Sequence, residues 1–301
     1  ANPAGNFALS ANYDASGDGT YRNSPVPTTF TGVVQGLGNT ISNITVVEVE
    51  GDNGVGGLFS EIGPAGAVEN LDLAAVSVAA GGLVYWNKGL LFGDHVSGTV
   101  GSRSREDLSG GLAALSFGTI ANCSSSASVV GGKKALEGGL VATFTGTISN
   151  SYATGSVTAR NKDSPVGGLV GISYGGSILN SYAVGSVRGT FAGGLIGFNN
   201  NDALNVATSY STGKIVGSAY PGGFIGYFGS GVPPTNNYWD TTTSGTDQGT
   251  GNDGNVPGIT GLTTQQLQSG LPTGFDPTIW AEKPKINDGF PYLIANPPPK
   301  K

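Results

Sequence analysis

A hydroxyl, an imidazole and a carboxylate fall within one short stretch of this chain, at Asp94, His95 and Ser97. Those three groups are the parts of a nucleophilic triad. A triad is a spatial arrangement, however, and neighbouring residues of one strand point to opposite faces. The same stretch, 85–108, carries Trp86 and Lys88, then Arg103, Arg105, Glu106 and Asp107. An indole beside positive charges suits the capture of a ligand better than bond breaking. We therefore read Trp86, Lys88, His95, Arg103 and Arg105 as the candidate ligand-binding set, with no catalytic residue and no metal site. Gly251-Asn252-Asp253-Gly254-Asn255 offers oxygen ligands of the kind calcium takes. It lacks the repeated nonapeptide of calcium-binding solenoids, so it reads as a polar turn and no cofactor is assigned. Cys123 stands alone and cannot form an internal disulfide.

The composition says what kind of scaffold must hold these groups. Among 301 residues there are 53 Gly, and only 11% are charged. So much Gly disfavours helices, in which each costs about 1 kcal/mol relative to Ala. Apolar residues recur along the whole length, which argues against disorder. The net charge of -6 marks no binder of nucleic acid. No apolar run reaches the roughly 18 residues of a membrane span, so no membrane insertion is expected. The avoidance of Cys suits an exported bacterial protein. With no initiating Met, the chain reads as a mature piece or a fragment.

The scaffold is a repeat. Gly-Gly followed by Leu or Phe recurs with its third residue at Leu58, Leu83, Leu112, Leu140, Leu169, Leu195 and Phe224. A second motif follows each in step. It reads Ile-Ser-Asn-Ser-Tyr-Ala-Thr-Gly-Ser-Val at 148–157 and Ile-Leu-Asn-Ser-Tyr-Ala-Val-Gly-Ser-Val at 178–187. It is lost between Leu83 and Leu112, the coil that carries the candidate ligand set. β-branched, Gly-punctuated segments of about 28 residues predict an all-β chain, a single-stranded parallel β-helix of about 7–9 coils with a cap at each end. Residues 1–30 are expected as the N-terminal cap, 31–240 as the coils, 241–296 as the C-terminal cap and 297–301 as a tail. Thr263 predicts the start of one short helix.

Strand alternation predicts two ladders. If Ile148 points inward, Asn150 does too, so Asn43, Asn70, Asn122, Asn150 and Asn180 are expected as a buried amide ladder. Tyr152, Tyr182, Tyr210 and Tyr238 are expected as an aromatic stack.

Gly167-Gly168-Leu169-Val170-Gly171, with the Ile178–Val187 segment behind it, resembles the GLUG repeat of bacterial surface proteins. Phe30–Asn43 is similar to the lead-in of those repeats, and Tyr238–Gly245 to their closing segment. The resemblance implies a right-handed β-helix within a filamentous-haemagglutinin-like adhesin, of the kind exported by two-partner secretion. Similar repeats occur in surface proteases of immunoglobulin A. Their His-Glu-x-x-His metal motif is absent here, and a single His cannot supply it.

The expectation is therefore an extracellular or cell-surface adhesin module and not an enzyme. Its partner would be a glycan, a host surface protein or another copy of itself. The alternatives are a structural spacer without a ligand and a polysaccharide-acting β-helix enzyme, which would need a column of acidic residues that the repeats do not show.

Overall fold

The computed structural model describes residues 2–47, 56–101, 108–132, 135–160, 164–201, 203–229 and 231–299. They wind into a parallel β-solenoid of eight coils. Face A of the solenoid is an eight-stranded parallel sheet running from Phe7–Ala8 to Leu204–Ala207. Face C is a six-stranded sheet running from Val84–Asn87 to Ile225–Phe228. The short strands between them, such as Tyr152–Ala153, Val157–Thr158 and Pro165–Gly167, make face B.

Registers explain the choice of residues. On face A, Val68, Leu91, Ile120, Ile148 and Ile178 stand in one column, each fully buried. On face C, Val84, Ala113, Val141, Val170, Ile196 and Ile225 do the same. Each buried Val, Leu or Ile contributes about 1.5–3 kcal/mol against the entropy of ordering the coil. The Gly-Gly corner leaves no room for side chains. A Cβ on Gly111 would lie 2.0 Å from the carbonyl oxygen of Gly139 in the next coil. Gly111 is not left-handed, so here space rather than dihedral freedom demands glycine.

The asparagines do not form the expected inward ladder. Asn43, Asn70, Asn122, Asn150 and Asn180 all have left-handed φ, between 47 and 60°. They turn the corner from face A to face B, a conformation that Asn tolerates better than most residues. None of the five is fully buried, and Asn43 and Asn70 are exposed. The left-handed residue resets the alternation, so the inward place falls to the residue after it. That column holds Leu71, Asp94, Cys123, Ser151, Ser181, Ser209 and Asn237, all buried. From Leu71 through Ser209, each backbone N–H in it donates to the side chain one coil further on. Ser151 N donates to Ser181 Oγ at 3.3 Å, Ser181 N to Ser209 Oγ at 3.1 Å, and Ser209 N to Asn237 Oδ1 at 3.1 Å. Cys123 N donates to Ser151 Oγ, and Leu71 N to Asp94 Oδ1. The serine hydroxyls in turn donate to Ser149, Leu179 and Ala207 carbonyls at the end of the preceding face A strand.

Residues 7–30, which lack the repeat, wind as a coil of their own. Phe7–Ala8, Tyr13–Asp14, Thr20–Tyr21 and Val26–Phe30 each pair with the strand of the following coil. At the other end Ile259–Leu262 pairs with Asn237–Asp240. Thr263 then caps the helix Thr264–Leu267 in a capping box with Gln266. The remaining C-terminal segment does more than cover the last coil. It runs back along face B as a strap, and Asn296 donates to the carbonyls of Cys123 and Asn150.

Candidate functional site: face C and the His95 line

The strap covers the tyrosines. Tyr152 and Tyr182 stack at 4.8 Å, and Tyr182 and Tyr210 at 5.0 Å. Tyr238 keeps the register, but its ring meets Phe275 edge-on at 5.7 Å. These rings form a second hydrophobic core outside the coil, with Leu267, Phe275, Trp280, Phe290 and Leu293 of the strap. Burial pushes the phenols of Tyr182 and Tyr210 well above their usual range. Tyr210 OH donates to the Pro291 carbonyl, and Tyr238 OH to that of Thr273.

Toward the N-terminus the tyrosine column continues as other residue types. Ser124 precedes Tyr152 in register, His95 precedes Ser124, and Asp72 precedes His95. The coil that seemed to lose the motif therefore keeps it in altered form. Gly93 takes the left-handed corner, Asp94 the serine place and His95 the tyrosine place. The signal was available in the spacing: Gly93 lies ten residues after Leu83, as Asn122 does after Leu112 and Asn150 after Leu140.

His95 Nδ1 and Ser124 Oγ lie 2.7 Å apart. Burial lowers the His95 pKa below its ordinary value, and the Asp72 carboxylate beside it opposes that shift. Burial raises Asp72, and the His95 charge opposes it. Three coils thus align an acid, a base and a hydroxyl that are far apart in the sequence. Ser97, the serine near His95 in sequence, instead accepts from the backbone N–H of Ala75. The amides flanking the hydroxyl are already engaged: Ser124 N donates to the Asp94 carbonyl and Ser126 N to that of Val96. Ser124 is 7% exposed. Asp94 itself is buried, and burial pushes its carboxyl well above the usual range.

Trp86 and Lys88 lie on another part of the solenoid from His95. Trp86 belongs to face C, His95 to face B, and the face A strand Leu90–Phe92 separates them in the chain. Lys88 Nζ sits 3.9 Å from the centre of the Trp86 ring and 3.1 Å from Glu61 Oε1. Phe117 tilts against the same indole at 6.0 Å. Arg103 and Arg105 lie outside the described residues. Of the expected binding set, the structure brings together Trp86 and Lys88.

Trp86 begins an outward column on face C. It continues in register as Leu115, Thr143, Ile172, Phe198 and Tyr227. Phe198 and Tyr227 stack at 4.7 Å, and Phe191 and Tyr220 stack beside them at 5.0 Å. Phe117 and Tyr174, at the edge of this face, are 47% and 42% exposed. Six strands spaced about 4.8 Å apart give a column about 24 Å long without a charged residue; Thr143 and Ile172 in its middle are buried, so its partly exposed apolar members lie at the two ends, Trp86 with Leu115 and Phe198 with Tyr227. The sequence reading missed the column because it mixes residue types and shows only when the coils are stacked.

The polar turn at 251–255 is spent on the backbone. Asn252 Oδ1 accepts from Phe228 N, and Asn255 Oδ1 from Gly249 N. No cluster of metal-ligating side chains occurs among the described residues.

No protein-family model matches the chain, the adhesin repeat included, and no curated protein matches it. Two of the solved structures that share its fold carry a protease name. One is named an IgA1 protease, with a TM-score of 0.58 and 23% identity over 79% of this chain. This chain spans 20% of that protein. The other, from Bacteroides ovatus, is described as a candidate immunoglobulin A1 protease. Its TM-score is 0.61, with 18% identity over 96% of this chain and 86% of its own length. Identities this low establish the shared fold. They also correct the expectation that the chain is not an enzyme: both of these solved chains carry a protease name. That expectation rested on the missing acidic column, the missing His-Glu-x-x-His motif and sequence neighbours that point apart; stacking sets Asp72, His95 and Ser124 side by side from three coils.

Proposed function

We propose that the chain is an extracellular or cell-surface adhesive module that binds a protein surface through face C. One observation carries the reading: the apolar ledge at the C-terminal end of face C, where Phe198 and Tyr227 pack beside Phe191 and Tyr220, on a solenoid whose outside is otherwise largely Ser, Thr, Asn and Gly. Contiguous apolar surface of this kind is a mark of interaction sites. The ring geometry selects the class of partner. Sugar rings stack on open aromatic faces, but Phe198 and Tyr227 close a face on each other, as do Phe191 and Tyr220. The Lys88 ammonium covers the Trp86 indole. Apolar side chains of a host matrix protein, or of a second copy, match the ledge better. The resemblance to the repeats of surface adhesins agrees with this use. Binding of the purified chain to immobilised matrix proteins, with sedimentation to detect self-association, tests it. Failure of the folded chain both to bind and to self-associate would contradict it.

A second reading, part of a secreted protease, is supported by the names of the two solved chains. Its test is incubation with immunoglobulin A1. Cleavage lost in both His95→Ala and Ser124→Ala would favour it, and an intact heavy chain would count against the chain itself as the cutting part.

A further inference from the structure

The strap does not lie flat on face B along its whole length. Between it and the coils is a cavity of about 830 Å3. From the coils come Thr154, Val184 and Thr212, each two residues after a stacked tyrosine. From the strap come Phe290 and Pro284, with Lys285 and Asp288 also on the lining and open to solvent.

The cavity is built rather than a loose gap. Asn287 Nδ2 donates to Tyr210 OH at 2.7 Å and to the Pro291 carbonyl at 2.9 Å. Tyr210 OH donates to the Pro291 carbonyl at 2.6 Å. Asn287, Asp288 and Gly289 have φ of 50, 53 and 87°, three left-handed residues in succession. A run of that kind costs energy at its non-Gly members and persists only when its surroundings fix it. Here the bonds to Tyr210 and Pro291 fix it, and the strained segment lines the cavity.

The volume falls within the range of about 300–1,000 Å3 found for small-molecule sites. The lining combines hydroxyls, an apolar wall and one charge of each sign. A lipid would leave the hydroxyls unpaired, and a strongly charged ligand would meet no net countercharge. A sugar without charge matches on both counts: its C–H face suits Phe290 and Pro284, and its hydroxyls suit Thr154, Thr212 and Lys285. We propose that this cavity binds a short neutral saccharide of one or two rings. The site is on face B under the strap, and it stands independently of binding through face C.

Saturation-transfer NMR on the full chain tests it, with lactose, maltose, cellobiose and diacetylchitobiose as probes and sialyllactose as the charged comparison. Transfer to at least one neutral disaccharide is expected. Val184→Trp, which fills the cavity, should raise its Kd about tenfold or more. Because that variant may not fold, Lys285→Ala at an exposed position is measured alongside, with an expected rise of about threefold. No transfer to any of the four from folded protein would overturn the proposal. So would transfer to sialyllactose alone, or affinities unchanged in Lys285→Ala and in folded Val184→Trp.

Discussion

The backbone N–H of Ser151 donates to Ser181 Oγ, 3.3 Å away in the next coil, and both side chains are fully buried. This bond is one rung of a ladder that runs from Leu71 to Asn237 just inside the corner. Ser181→Val would leave the Ser151 amide without its acceptor, a cost of about 1–3 kcal/mol for a buried donor. Ser181→Cys should cost less, because Cys123 already holds this place and its Sγ accepts from Asp94 N. Chemical denaturation of the two variants checks the order. Equal stability of Val and wild type would show that the ladder contributes nothing.

Glu137 occupies the inward position that Ser109 and Val166 hold in the adjoining coils, and neither carboxyl oxygen has a hydrogen-bond partner among the described residues. Burial pushes its pKa up to about 9 from 4.5. The folded chain therefore keeps this proton at neutral pH, whereas the unfolded chain releases it above 4.5. Its contribution to stability is complete below that value and erodes as pH rises toward 9, by up to about 1.4 kcal/mol per unit. Glu137→Gln removes the penalty. At pH 7 it should stabilise the fold by up to about 3 kcal/mol and flatten this part of the pH dependence. An unchanged slope between pH 5 and 8 would contradict the burial of a neutral carboxyl.

His95 is the sole histidine, so one imidazole signal reports on it. Burial depresses its pKa, and Asp72 opposes the shift. The folded chain binds this proton less readily than the unfolded chain, so the associated stability is present above pH 6.5 and lost as pH falls. By NMR the midpoint should lie below 6.5 in the wild type and fall further in Asp72→Asn. A midpoint that does not move in Asp72→Asn would mean that the two groups do not interact.

Trp280 anchors the strap. It is 1% exposed, stacks on Phe275 at 4.5 Å and tilts against Tyr182 and Tyr210. Trp280→Ala should cost about 3–5 kcal/mol of local stability. Limited proteolysis should then cut within 268–296 while the coils stay intact. A digestion pattern identical to wild type would show that the strap is held by other contacts.

The coil repeat was legible because Ile148 and Ile178 recur with their Gly-Gly-Leu partners at nearly constant spacing. The asparagine prediction failed for one local reason. Alternation cannot be carried through a left-handed residue, so the buried place belongs to Ser151 and not to Asn150. Neighbours across coils were harder to read. Asp72 lies 23 residues before His95, and Ser124 lies 29 after it, because coils differ in length. The strap carries no repeat, and Phe275 and Trp280 looked like an end cap. Their position follows from the tyrosines, whose rings lie outside the coil and need an apolar cover.

Binding through face C is tested most directly by comparing the wild type with the double variant Phe198→Ser and Tyr227→Ser. Affinity would be measured by surface plasmon resonance against whichever matrix protein, or second copy, the wild type binds. Loss of these two stacked apolar anchors should raise Kd at least about tenfold, with the melting temperature and the His95 signal unchanged. Equal affinity in a folded double variant would contradict face C as the binding surface.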